Sequence, residues 1–198
     1  CHEHLEYYSS SVVIDLAKKN GLRVFDIKEN KINGGSKQYF ICHQKSKFLS
    51  KNKVINQTLK VESKLKLDKV STFKKFFNKI KILKNNLNNI INSIKKKKQI
   101  IHCYGASTKG NVLLQYFRIN KNKINFVAER NQNKYGLVTP GTQIKIISEK
   151  LSRALRPDYY LVLPWHFKEE ISKRESNILK KGVKFIFPLP NIQIVKRA

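Results

Sequence analysis

Two histidines flank a glutamate at the start of the chain, in the order Cys1, His2, Glu3, His4. Histidine titrates near neutral pH and a neighbouring carboxylate can orient it, so this segment contains a candidate general base. The HExxH pattern of zinc proteases would need a second histidine at position 6, where the chain has Glu6, and that metal site is excluded. A histidine where a loop meets a helix is more often structural, so the segment alone leaves both readings open.

A glycine-containing segment, YGASTKGN at 104–111, stands where a strand is predicted to end and a helix to begin. Glycines permit a tight turn there, and backbone N–H groups at a helix start, together with a lysine, suit a phosphate group. Neither the dinucleotide pattern GxGxxG nor the P-loop is present, and an ordinary strand-to-helix turn with a solvent lysine fits equally well. The candidate phosphate contacts are Gly105, Ser107, Lys109, Gly110 and Asn111.

Two further clusters follow predicted strands. Glu129 and Arg130 end one strand, and Trp165 and His166 end a later one. In open α/β sheets ligands bind beyond the carboxyl ends of the strands, so the sequence predicts that both clusters meet the glycine segment at one ligand site. The alternatives are a core aromatic for Trp165 and a surface ion pair for Arg130.

The elements that must position these residues alternate along the second half of the chain. Short apolar strands alternating with helices predict an α/β fold, a Rossmann-like parallel sheet with helices on both faces. The predicted strands are 99–104, 124–128, 158–163 and 184–187, and the predicted helices are 108–118 and 167–180.

A long helix is predicted to begin at Ser71 and to bridge into this domain. Its apolar residues recur every three or four positions and form one stripe that faces a partner, while its lysines face water. The stripe consists of Phe73, Phe76, Phe77, Ile80, Leu83, Leu87, Ile90, Ile91 and Ile94.

The first part of the chain has a different pattern. A helix at 10–20 stops at Gly21, and strands at 22–27 and 38–43 flank a turn at 33–36, which predicts the last helix and β-hairpin of another domain. Polar, lysine-rich residues follow with little periodicity. The predicted domains are therefore 1–45, a weakly structured linker at 46–68, and a C-terminal domain at 69–198.

The net charge of +28 is in itself typical of a nucleic-acid-binding protein. However, 34 of the 41 basic residues are lysines and only 7 are arginines, which read bases better. Residues 45–98 alone supply 17 lysines against Glu62 and Asp68. A solvated helix face explains this excess better than nucleic acid or a membrane does, and neither is an expected partner.

Composition also bounds the location and the completeness of the chain. Long apolar segments and a signal peptide are missing from the sequence, which predicts a soluble cytoplasmic protein. The three cysteines form no CxxC pair, so no metal site and no disulfide framework are expected. Because the sequence contains no methionine, we expect it to be part of a longer protein.

Taken together, the motifs resemble the sugar C-methyltransferase family, whose members act on nucleotide-linked deoxy-keto sugars. The resemblance covers nearly the whole chain through segments in fixed order: HEHLEYYS, GL-VFD, GGS, YGASTKGN-LLQY, ERN--K-G--TPGT-I, PDYYLVLPWHF and G-KFIFPLP. It implies that residues 1–45 are the end of a methyltransferase domain that binds S-adenosylmethionine upstream, and that zinc is held only by a domain before that one.

The resemblance also implies roles for single residues. His4 would be the base that removes the proton beside the ketone, with Glu3 beside it, and the resulting enolate would accept the methyl group. The residues that would bind the nucleotide-linked keto-deoxy sugar are Gly105, Ser107, Lys109, Gly110, Asn111, Glu129, Arg130, Lys134, Trp165 and His166.

The chain departs from the family pattern at Cys1, which replaces a tyrosine, and at Gln132 and Lys145, which replace prolines. Two other functions stay open at this point. The first is a lysine-rich nucleic-acid-binding protein, and the second is a non-catalytic domain that binds nucleotide-sugars.

Overall fold

The computed structural model describes residues 6–30 and 35–196. The chain divides into two compact units, with the boundary between Asn78 and Lys79. Each unit contains its own hydrophobic core.

The first unit is built from a helix and a β-hairpin, followed by a second helix. Helix α1 (Ser10–Lys19) begins at Ser9, whose side chain accepts a hydrogen bond from the Val12 N–H, and it ends before Gly21, which has a φ of 70°. Strands β1 (Leu22–Asn30) and β2 (Ser36–His43) pair antiparallel. The helix and the hairpin thus confirm the predicted pattern, while Asn33 and Gly34, half of the predicted turn, lie outside the described residues.

Residues 46–68 are not the weakly structured linker that we predicted, because they contain helix α2 (Asn52–Leu65). Its Glu62 side chain is buried and accepts hydrogen bonds from the Ser10 and Ser11 N–H groups at the start of α1. The lysine-rich composition hid this helix, since only a few of its side chains enter the small core around Ala17, Val24 and Ile27.

Helix α3 (Val70–Lys96) confirms the predicted long helix, but its apolar stripe is only partly covered. Leu83, Leu87, Ile91 and Ile94 are buried in the core of the second unit. Only the later part of the predicted stripe packs on this core, because the unit begins at Lys79 and its core reaches no further back than Ile80. The phenylalanines before this point are exposed, by 56% at Phe73, 61% at Phe76 and 49% at Phe77.

The second unit contains a mainly parallel six-stranded sheet, so the chain is an α/β protein. Its strands run in the order β5-β4-β3-β6-β7-β8, in which all neighbours are parallel except β7 and β8. They are β3 (Ile101–Tyr104), β4 (Phe126–Glu129), β5 (Lys145–Ser148), β6 (Tyr159–Val162), β7 (Lys184–Phe187) and β8 (Gln193–Val195).

Helices cover both faces of this sheet. One face packs on α3 and on α4 (Thr108–Phe117), and the other packs on α6 (Lys168–Arg174) and α7 (Ser176–Lys180). Successive strand residues point to opposite faces, which is why Cys103 belongs to the first core and Tyr104 to the second. A further short helix, α5 (Glu149–Ala154), follows β5.

The predicted strands and helices of this unit are confirmed in order and type. The prediction missed β5, α5 and β8, and the predicted helix 167–180 is interrupted at Glu175. Within the described residues, no helix combines the length and the apolar character needed to span a membrane.

Candidate functional site

The order of the strands reverses at β3. The chain passes from β3 to β4 and β5 on one side and then returns to β6 on the other. Connections that leave in opposite directions open a crevice at the carboxyl ends of the central strands, and this is the usual ligand site of open α/β sheets.

A cleft of about 400 Å³ lies at this place. We call it the switch-point cleft. Its lining comes from four parts of the second unit: the end of β3 and the turn after it, the end of β4, the start of α5, and the segment that includes α6. The residues are Tyr104, Gly105, Ala106, Ser107, Glu129, Arg130, Lys134, Glu149, Pro164, Phe167, Glu170, Ile171 and Arg174.

The turn from β3 to α4 is fixed by two glycines and a helix cap. Gly105 has a φ of 79°, and a Cβ placed there would lie 2.9 Å from the Pro164 ring. Ser107 caps α4 by accepting a hydrogen bond from the Gly110 N–H at 3.0 Å. Gly110 lets the helix approach the end of β6, since a Cβ there would lie 2.5 Å from the Cβ of Leu163, the residue after that strand.

Glu129 holds together the loops that form one wall of the cleft. Its carboxylate accepts hydrogen bonds from the N–H groups of Ala106 at 2.7 Å, Arg130 at 2.7 Å and Asn131 at 2.9 Å. Burial by itself would raise the pKa of Glu129, but these three N–H donors and the charge of Lys134 leave the pKa below its ordinary value. The Glu129 carboxylate is therefore ionised and links the loops after β3 and β4 by hydrogen bonds.

Two cations stand on the same wall. Lys134 donates a hydrogen bond to the Ala106 carbonyl at 2.9 Å, and its Nζ lies 4.0 Å from the Glu129 carboxylate. Arg130 is exposed at the cleft. Both positive charges are thus available to an anion that enters between the loops after β3 and β4.

An ion-pair network lies under the opposite wall. The buried Glu175 carboxylate accepts hydrogen bonds from Tyr104 Oη at 2.7 Å, from Arg174 Nε at 2.8 Å and from Arg153 at 3.1 Å. Arg174 also pairs with Glu149 and lies over the Tyr104 ring, 5.3 Å from its centre. The network fixes the Arg174 guanidinium at the cleft. Burial raises the pKa of Glu149, and the charge of Arg153 opposes this rise.

Comparison with known proteins assigns the chain to a family. The model of the family described as C-methyltransferase C-terminal domain matches residues 31–190. The chain belongs to this C-methyltransferase family. It is also similar to the C-methyltransferase NovU of Streptomyces niveus, with 27% identity over 194 residues, which is 98% of this chain and 46% of NovU. The chain thus spans less than half the length of this curated relative.

The switch-point cleft brings together half of the substrate-binding residues predicted from the sequence. Gly105, Ser107, Glu129, Arg130 and Lys134 line it. Gly105, Ser107 and Glu129 shape the loops. The cations Arg130 and Lys134 are therefore the predicted residues best suited to contact a ligand.

The other predicted residues lie beside the cleft rather than in its lining. Lys109 is exposed in the first turn of α4, and Gly110 is packed against Leu163. Trp165 packs between the two cores of the sheet. Their predicted contacts with a substrate stay predictions.

Asn111 and His166 each carry a buried polar atom, Oδ1 and Nδ1 respectively, for which the described residues offer no hydrogen-bond partner. Burial lowers the pKa of His166, and the positive charge of Lys109 lowers it further. Both are predicted substrate-binding residues, and each retains an unused hydrogen-bonding atom next to the β3–α4 turn.

The predicted catalytic pair, Glu3 and His4, lies outside the described residues. Within the described residues, no group of three or more His, Cys, Asp or Glu side chains is arranged to hold a metal ion.

The network of Glu149, Arg153, Arg174 and Glu175 was missed from the sequence. Arg174 and Glu149 are separated by 25 positions. The local signals were two: Glu149 and Arg153 lie four positions apart in a helix that was not predicted, and Arg174 and Glu175 are adjacent within a predicted helix.

Proposed function

We propose that this chain is the substrate-binding part of an S-adenosylmethionine-dependent C-methyltransferase that acts on a nucleotide-linked deoxy-keto sugar. The observation that carries the proposal is a cleft at the strand-order reversal of a C-methyltransferase C-terminal domain. In this proposal the sheet is Rossmann-like, and the cleft holds the nucleotide end of the sugar donor.

The strand order supports this fold assignment. If the six strands of the sheet are numbered along the chain, they lie side by side as 3-2-1-4-5-6, the order of dinucleotide-binding Rossmann folds. The antiparallel β8 is an edge strand and leaves the crevice between β4, β3 and β6 unchanged.

The side chains of the two walls support the ligand class. Arg130 and Lys134 supply positive charge beside the β3–α4 turn, where a diphosphate would gain charge-assisted hydrogen bonds. The wall formed by the start of α6 offers the half-exposed ring of Phe167 and the exposed carboxylate of Glu170. An aromatic face suits a nucleobase, and a carboxylate accepts hydrogen bonds from ribose or sugar hydroxyls.

The contacts of Glu129 favour a ligand other than the methyl donor in this cleft. In a Rossmann fold the acidic residue after the second strand accepts hydrogen bonds from the ribose of the cofactor. Glu129 has that position, but its two oxygens already accept three backbone N–H groups. This supports the proposal that S-adenosylmethionine binds in the part of a C-methyltransferase that has no counterpart in this chain. The zinc ion would also be bound in that part.

The proposed reaction begins with removal of a proton from the carbon next to the sugar ketone. That proton is acidic because the negative charge spreads onto the ketone oxygen, so a base with a pKa near neutrality can remove it. His4 is the proposed base, oriented by Glu3, and both assignments rest on the resemblance alone. S-adenosylmethionine, when bound, supplies an electrophilic methyl group. The cleft contributes by holding the nucleotide end of the sugar donor in one position.

We expect the chain to bind a nucleoside diphosphate through Arg130 and Lys134. Isothermal titration calorimetry with thymidine, uridine, guanosine and cytidine diphosphates would measure this directly. Replacing both cations, Arg130→Gln with Lys134→Gln, removes about two charge-assisted contacts, so the affinity should fall roughly ten- to a hundredfold.

The matched control is Arg156→Gln with Lys180→Gln, which removes the same charge from exposed positions outside the cleft lining. Its affinity should match that of the unchanged chain at 0.15 M salt, where distant surface charges are screened. Equal weakening in both variants, or no binding of any of the four nucleotides, would contradict the proposal.

A further inference from the structure

A second cleft of about 390 Å³ lies in the α/β unit. We call it the lysine cleft. Helix α3 contributes Lys84, Asn85, Asn88 and Asn89. The end of α4 contributes Phe117 and Arg118, and the loop before β4 contributes Lys123.

Asn88 joins the walls of the lysine cleft. Its amide nitrogen donates hydrogen bonds to the Lys84 carbonyl at 2.9 Å and to the Phe117 carbonyl at 3.0 Å. Its amide oxygen accepts a hydrogen bond from Lys123 Nζ. Asn88 thus links α3, the end of α4 and the loop before β4, and each of these three elements contributes a cation to the lining of the cleft.

These cations lack anionic partners of their own. In residues 6–30 and 35–196, no ion pair includes Lys84, Lys95, Arg118 or Lys123. Lys84 lies over the Tyr116 ring, 4.9 Å from its centre, and Lys95 donates a hydrogen bond to the Asn122 carbonyl. Both contacts orient an ammonium group, but neither neutralises it.

The end of α4 offsets only a small part of this charge. A helix C-terminus is equivalent to about half a negative charge, whereas four formal positive charges gather near it. Burial lowers the pKa of Lys123, and the neighbouring charges of Lys84 and Lys95 lower it further, as expected for cations that repel each other. An anion bound between them would relieve this repulsion.

We propose that the lysine cleft binds a small anion that carries a phosphate or diphosphate group. The cations would contact the phosphate oxygens, and the amides of Asn85 and Asn89 would bond to hydroxyl groups of the rest of the molecule. Nucleic acid fits less well, because the single aromatic residue of the lining, Phe117, is buried and offers no stacking platform for bases.

The test uses the full chain and inorganic pyrophosphate as the probe. Because the switch-point cleft is also proposed to bind phosphate, the titration is done in the Arg130→Gln, Lys134→Gln background. Backbone NMR should then show shift changes at residues 84–89 and 117–123. Adding Lys84→Gln and Lys123→Gln should weaken pyrophosphate binding at least tenfold and reduce its dependence on salt. Thermal unfolding should show that these variants still fold, because removing like charges relieves repulsion.

The matched control in the same background is Lys145→Gln with Lys180→Gln, two exposed lysines outside the lysine cleft, and it should bind pyrophosphate unchanged. Equal weakening by the control would overturn the proposal, because it would reveal only a diffuse effect of net charge. Shift changes confined to other residues would also overturn it. Tighter binding of a single-stranded oligonucleotide than of pyrophosphate, with affinity that rises with its length, would contradict the proposal and identify nucleic acid as the ligand of the cleft.

Discussion

His102 is a buried titratable residue in the centre of the sheet. It is 3% exposed, and its Nδ1 lies 2.9 Å from Ser152 Oγ, which in turn lies 2.9 Å from Tyr160 Oη. The ring also meets Phe126 edge to face. Burial lowers the pKa of His102 to about 4. The histidine is thus neutral in the folded protein and ties α5 to the sheet.

We expect His102 to make the folded state sensitive to acid. The unfolded chain binds a proton at His102 near pH 6.5, whereas the folded chain resists it down to about pH 4. The contribution of neutral His102 to the free energy of unfolding is therefore complete above pH 6.5. As the pH falls from 6.5 to 4, the free energy of unfolding decreases by up to about 3 kcal/mol. Urea unfolding across this range should show the loss in the unchanged chain and a flatter profile in His102→Asn. The exposed His43→Asn should keep the original slope, and an equal slope in His102→Asn would disprove the assignment.

Single residues of the switch-point cleft were predictable where their position depends on a strand end. Glu129 and Arg130 were found because the carboxyl end of a parallel strand needs only the strand to be recognised. Arg174 and Glu149 were missed because their meeting depends on two short helices, α5 and α6, whose packing no local pattern encodes. Lys109 was singled out for its charge, yet the direction of a side chain in the first turn of a helix cannot be deduced from the motif.

Among the helices and strands, α4 has to approach the end of β6 closely for the cleft to form. Gly110 is a helical residue with no need for a positive φ, and its role is to leave room for Leu163. A glycine inside a helix is usually replaced by alanine with a gain of about 0.5–1 kcal/mol. Here the added carbon would lie 2.5 Å from Leu163 Cβ, so the helix has to move.

The sign of the Gly110→Ala effect therefore tests this packing. We expect a loss of about 1–3 kcal/mol in the free energy of unfolding, measured in urea, because overpacking outweighs the gain in helix propensity. Val112→Ala, at an exposed position of the same helix, should change stability by less than about 0.5 kcal/mol. A stabilised Gly110→Ala variant would mean that α4 and Leu163 are not in close contact.

Elements with strong apolar periodicity were predicted well, and those without it were missed. The central strands β3 and β6 are almost entirely buried, so continuous apolar runs revealed them. Helix α2 has only Thr58 and Glu62 fully buried, and β8 has no fully buried residue. Such elements are held by hydrogen bonds or by an edge position, and these leave no hydrophobic pattern in the sequence.

For the whole molecule, the net charge of +28, taken alone, suggests a nucleic-acid-binding protein, but its distribution does not favour this function. Acidic side chains are few, but most of those in the α/β unit are engaged at defined places, such as Glu129 in the loops and Glu149 and Glu175 in the network. The positive charge that matters is thus local. The switch-point cleft concentrates it in Arg130, Lys134 and the ion-paired Arg174. The lysine cleft concentrates it in Lys84, Arg118 and Lys123, which form no ion pair within the described residues.

The division of the chain between Asn78 and Lys79 predicts that the α/β unit folds on its own. A fragment of residues 79–198 retains all six strands of the sheet and the buried residues of α3, from Leu83 to Ile94. The residues that it lacks from α3 include Val70, Phe73, Phe76 and Phe77, which are exposed and thus add little to the core. We therefore expect the fragment to unfold cooperatively on its own.

The fragment 79–198 should be compared with the fragment 69–198, which begins at the boundary predicted from the sequence. The two should have melting temperatures within a few degrees of each other by circular dichroism, since residues 69–78 bring no buried side chain. The longer fragment should self-associate more, because it carries exposed phenylalanine rings on one helix. If 79–198 is unfolded while 69–198 is folded, the start of α3 is essential for the α/β unit and the boundary predicted from the sequence is the better one.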